Sequence, residues 1–105
     1  MSNTSALVKY FPKDSAPVRR LVRHLIAQGC TLSIWDGEMW SVKRSASFAE
    51  LIAELGQCEF QQLRARAQDG EILGSFVLVY NNDGFPISDY SGNDFAESAY
   101  KVAQG

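Results

Sequence analysis

One histidine and two cysteines are all that this chain of 105 residues holds of those types, and each shortage removes a class of chemistry. A zinc centre gathers several nitrogen, sulfur or carboxylate ligands, and His24 with Cys30 and Cys58, far apart and outside any CxxC spacing, cannot supply them. The same scarcity makes two reduced thiols the expectation, with a single Cys30 to Cys58 bridge as the alternative. A serine or cysteine nucleophile needs a base, and His24 lies among Arg19, Arg20 and Arg23 on what reads as the exposed face of a helix. Glu50 and Glu54 have a simpler place on the solvent face of another helix than as an acid–base pair. Gly70 and Gly74 lack the lysine and the spacing of a phosphate loop. No enzyme and no cofactor is therefore expected.

Long apolar runs are also missing. Nothing approaches the roughly 18 residues of a membrane span, and MSNTSALVKYFPKDS has no charged-then-apolar leader pattern, so a cytoplasmic location without membrane contact is the expectation. The segment NNDGFPISDYSGND lacks the alternating acids and terminal Glu of a calcium-binding hand and reads as a solvated turn.

Hydrophobic residues make up 46% of the chain and aromatics 11%, enough to close one core and to oppose chain entropy. The expected organisation is an N-terminal arm or short edge strand over residues 1–14, then a single domain over 15–105. From Ser15, Pro17 suits a first helical turn, and Val18, Leu21, Val22, Leu25 and Ile26 recur at three-and-four spacing until Gly29. Thr31 to Trp35 and Met39 to Lys43 flank an Asp36-Gly37 turn, the signal of a hairpin. Pairing Ile34 with Trp40 and Leu32 with Val42 collects the apolar residues on one face, so that register is expected.

Ser47 and Glu50 have capping-box spacing and open a second helix, with Phe48, Leu51, Ile52 and Leu55 inward and Gly56 as its stop. Period two then places Leu63, Ala65 and Ala67 on one face of a strand and Gln62, Arg64 and Arg66 on the other. After Asp69-Gly70, the nearly continuous apolar run Ile72 to Tyr80 reads as a central strand. Phe85 to Tyr90 is a short strand weakened by Pro86, and Asn93 or Asp94 caps a last helix containing Phe95, Ala99 and Val102. The order α-ββ-α-βββ-α implies an α+β two-layer sandwich: a mostly antiparallel sheet of about five strands with helices on one face.

A faint echo, DGE at Asp36 and Asp69 and FAE at Phe48 and Phe95, raises the question of an internal duplication. Asp-Gly is the expected hairpin dipeptide and a capping residue three before Glu the expected helix start, so the echo reports turn and cap chemistry.

Net charge is −2, which predicts no general attraction to phosphate polymers, but its distribution is uneven. Up to Arg66 nine Lys or Arg stand against six acids; from Ala67 onward only Lys101 faces six acids. The leading functional expectation is a small regulatory or adaptor protein that binds a protein partner through an acidic rim with aromatic anchors: Asp83, Phe85, Asp89, Tyr90 and Asp94. The alternative is a nucleic-acid binder using Arg19, Arg20 and Arg23 on the first helix with Arg64 and Arg66 on the open sheet face, beside Lys43, Arg44 and the Trp-containing hairpin. A homodimer joining a basic half to an acidic half suits the same distribution.

Overall fold

A computed structural model describes residues 5–81 and 83–105. Residues 1–4 of the expected arm, and Asn82 of the turn at 81–84, lie outside the described residues. The elements are α1 Ala6–Tyr10, α2 Pro12–Ala27, β1 Thr31–Trp35, β2 Trp40–Ser45, α3 Phe48–Glu54, β3 Phe60–Arg66, β4 Ile72–Val79, β5 Ile87–Tyr90 and α4 Asp94–Gln104. The five strands pair antiparallel in the order β2-β1-β3-β4-β5. The α+β architecture and the element order agree with the sequence pattern.

Alternation places the core. Leu32 and Ile34 of β1, Leu63 and Ala65 of β3, and Phe76 and Leu78 of β4 are fully buried against Val18, Leu21, Val22 and Leu25 of α2, Leu51 of α3, and Ala96, Ala99 and Ala103 of α4. All helices that contribute to this cluster lie over that one side of the sheet, and Arg64, Arg66, Val77 and Val79 occupy the other. Three alanines, rather than Val102, line the inward side of α4, so this helix sits close to α2 and to Gly74 of β4. A Cβ at Gly74 would stand 3.3 Å from the Phe95 ring.

Five local features differ from the sequence reading. Residues 6–10 form a helix, not an arm or strand: the Ser5 hydroxyl accepts from the Val8 N–H at 3.2 Å, and Leu7 is buried in the common core. Phe11, four residues beyond Leu7, stacks on Tyr80 with ring centroids 5.0 Å apart. Because α2 starts at Pro12, the first-turn proline is Pro12, and Pro17 lies inside the helix.

The hairpin register also shifts. Trp35 pairs with Trp40, Ile34 with Val42 and Leu32 with Ser45, so β2 carries two irregularities and Trp40 turns to the open side. Leu32, Ile34 and Val42 still share the core face. The middle of the sheet belongs to β3, while β4 lies between it and the edge strand β5. Finally, the Ser47 hydroxyl accepts from the Glu50 N–H at 3.2 Å, but the return half of the capping box runs through another hydroxyl. Ser45 Oγ donates to Glu50 Oε1 at 2.6 Å and accepts from the Ser47 N–H at 3.1 Å.

The echo resolves into the same local chemistry twice. Asp36 Oδ1 accepts from the Glu38 and Met39 N–H groups, and Asp69 Oδ1 accepts from the Glu71 N–H. Asn93 caps α4 by accepting from the Ala96 N–H at 2.8 Å. Cys30 is buried and Cys58 half-buried, and both are free thiols.

Candidate functional site

Strand pairing decides which charges meet. Antiparallel registry sets Ser33 of β1 opposite Arg64 of β3, and Thr31 opposite Arg66, with the Arg side chains on the face away from the helices. On the far side of β1, the irregularity in β2 swings Lys43 and Arg44 over the same place. Arg44 adopts a left-handed backbone, φ +49°, a conformation that a residue with a Cβ occupies at some strain. Its N–H donates to the Ser33 hydroxyl oxygen at 2.9 Å, which locks the bulge to the neighbouring strand.

The result is a cleft of about 160 Å³ lined by Ser33, Trp40, Lys43, Arg44, Arg64 and Arg66. Four cations surround it, and no carboxylate of the described residues lines it. Trp40 meets Trp35 edge to face at 5.2 Å and 63°, and the Arg64 guanidinium lies over the Trp40 ring at 4.7 Å. Arg66 is held at its other end, donating from Nη1 to the Gly70 carbonyl at 2.9 Å. Lost hydration lowers the pKa of Arg66 from its ordinary value, and the charges of Arg44 and Arg64 lower it further. Phe60, 42% exposed, lies further along β3 on the same side as Arg64 and Arg66.

The arginines of α2 take no part in this cleft. Arg20 donates to the Ala103 carbonyl from Nε at 3.0 Å and Nη2 at 2.7 Å, tying α2 to the end of α4. Arg19 and Arg23 lie over the Phe48 ring at 5.5 and 4.6 Å, on the helical layer. The five arginines grouped by the sequence reading thus divide between the two faces of the molecule.

The acidic segment is built differently from a rim around free aromatic anchors. Tyr100 of α4 stacks on Tyr90 at 4.5 Å and meets Phe85 edge to face at 5.5 Å, so both aromatics are half-buried against the helix. Asp89 Oδ1 accepts from the Tyr90 N–H at 2.8 Å, Asp94 begins α4, and Asp83 is exposed in the turn before β5. Among the described residues no group of three or more His, Cys, Asp or Glu could hold a metal ion, and no helix is long and apolar enough to cross a membrane.

Sequence reasoning named Lys43 and Arg44 beside Arg64 and Arg66 but missed Ser33. Its only signal is the register that puts it opposite Arg64. No protein-family model matches the chain, and neither a curated protein nor a solved structure matches it.

Proposed function

We propose that the protein is a non-catalytic binding module that takes single-stranded nucleic acid on the open face of its sheet. The convergence of Lys43, Arg44, Arg64 and Arg66 on one cleft without a carboxylate carries this reading. Guanidinium groups donate to phosphate oxygens in pairs, and the neighbouring Trp35, Trp40 and Phe60 rings offer apolar surface of the kind on which unpaired bases stack. A duplex hides its bases from such a surface, which favours a single strand. No His, Asp or Glu stands among the described residues that line the cleft, which supports binding rather than acid–base catalysis.

Fluorescence anisotropy with a labelled single-stranded oligonucleotide at low salt tests this. Binding is expected to weaken with salt at a slope of about −0.7 per phosphate, hence about −3 for four contacts. The double variant Arg64→Ala/Arg66→Ala should lose affinity at least about tenfold. A flat titration of the native protein at low salt removes the reading.

A second reading rests on a separate observation: Asp83, Asp89 and Asp94 form no salt bridge with any described residue. A protein with a basic surface would complement them, and a second copy of this chain carries one in its cleft. Sedimentation at low salt should then show self-association that Asp83→Lys/Asp89→Lys abolishes at unchanged melting temperature. A monomer at every salt concentration excludes the second copy as that partner.

A further inference from the structure

We infer that the cleft between β1, β2 and β3 is a site for a phosphomonoester dianion, the group carried by a 5′-phosphorylated strand, a mononucleotide or free phosphate. The inference rests on the nucleic-acid reading only in naming the strand terminus as the source. Its main support is polar. Among the described residues, the buried side-chain nitrogens or oxygens without a hydrogen-bond partner are Arg64 Nε and Arg66 Nε. Both belong to one cleft, on alternate positions of one strand. Buried donors on charged groups are normally satisfied, because leaving one unpaired forfeits its hydration with no return. Two such donors side by side call for an acceptor from outside the chain.

Three further features fit an oxyanion. Ser33 is only 6% exposed, and its oxygen already accepts from the Arg44 N–H, while no described residue accepts its own proton. The hydroxyl is therefore left to act as a donor. Both guanidinium groups are held before any ligand arrives, Arg64 against the Trp40 ring and Arg66 by the Gly70 carbonyl, so little side-chain freedom is lost on binding. The left-handed Arg44 places local backbone strain at the same spot, as strained residues at binding sites often do. Four cations with no carboxylate match a doubly charged monoester better than the single charge of a phosphodiester. A phosphoryl oxygen pair accepting from the Nε and Nη edge of each guanidinium would satisfy both orphaned donors.

The test compares one oligonucleotide with a 5′-phosphate and with a 5′-hydroxyl, alongside inorganic phosphate and a 5′-mononucleotide, read by anisotropy and by tryptophan fluorescence, since Trp40 lines the cleft. The 5′-phosphorylated strand is expected to bind at least about tenfold more tightly than its hydroxyl form, the gain of roughly one good charge-assisted contact. Arg64→Met should erase that difference while melting no lower than the native protein, because it removes an unpaired buried donor; a purely structural arginine would lower the melting temperature instead. Equal affinity for the two strands with no fluorescence change on adding phosphate overturns the site. Binding of phosphate or the mononucleotide without binding of either strand supports the site and overturns the nucleic-acid reading. Strand binding that ignores the 5′ group, with phosphate silent, does the reverse.

Discussion

Replacing Gln61 with leucine is expected to lower the unfolding free energy by about 4 kcal/mol, measured by urea denaturation. Gln61 is fully buried in β3, the central strand, and sits between three partners. Its Oε1 accepts from the Gly56 N–H at 3.0 Å and from the Tyr80 hydroxyl at 2.9 Å, while its Nε2 donates to the Glu54 carbonyl at 3.0 Å. Leucine fills a similar volume but leaves two donors unpaired, the Gly56 N–H and the Tyr80 hydroxyl, each costing about 1–3 kcal/mol when kept from water, and the Glu54 carbonyl keeps only the Gln57 N–H at 3.3 Å. The Tyr80 phenol has no easy escape by ionising, because burial raises its pKa. Adding Tyr80→Phe to Gln61→Leu removes one orphaned donor, so the double variant should recover about 1 kcal/mol over the single one. A loss below about 1 kcal/mol for Gln61→Leu would show that water already reaches this network.

Gly56→Ala should be nearly as damaging, at about 3 kcal/mol, or a fall in melting temperature on the order of 15 °C. Two independent constraints act there. The backbone at Gly56 has φ +91°, which residues with a Cβ rarely adopt. The added Cβ would also stand 2.6 Å from the Leu7 backbone nitrogen and 2.7 Å from its Cα. No side-chain rotation relieves a collision with main chain, so α1 must shift and draw Leu7 from the core. Alanine at Gly29, where φ is +86° but nothing lies within 4 Å of the place its Cβ would take, isolates the backbone strain alone and should cost about 1 kcal/mol. Equal melting temperatures for the two variants would show that the close approach of α1 is not maintained in solution.

These sites mark where sequence patterns stop. The three-and-four spacing of Val18 to Leu25, the alternation of Leu63 and Ala65 with Arg64 and Arg66, and the caps at Ser47 and Asn93 are local signals, and the structure realises each of them. Residues 6–10 make too short a helix for its period to show; only Leu7 and Phe11 point the same way. The bulges in β2 depend on which residues meet across strands, since the Ser33 hydroxyl and the Arg44 N–H are eleven positions apart in the chain. Gln61 looks like any solvent-facing polar residue until Tyr80 and the Gly56 turn close around it. The cleft was half legible for the same reason: its arginines follow from period two on β3, whereas Ser33, Lys43 and Arg44 join them only through pairing and a kinked neighbour.

The two outermost strands carry one more consequence. An unpaired sheet margin invites another extended chain to add to it, and regular, flat margins are the most inviting. Here one margin, β2, is interrupted twice and turns left-handed at Arg44, and the other, β5, spans only four residues beyond Pro86. Neither offers a long continuous row of main-chain donors and acceptors, so concentrated solutions of this protein should resist growth into fibrils.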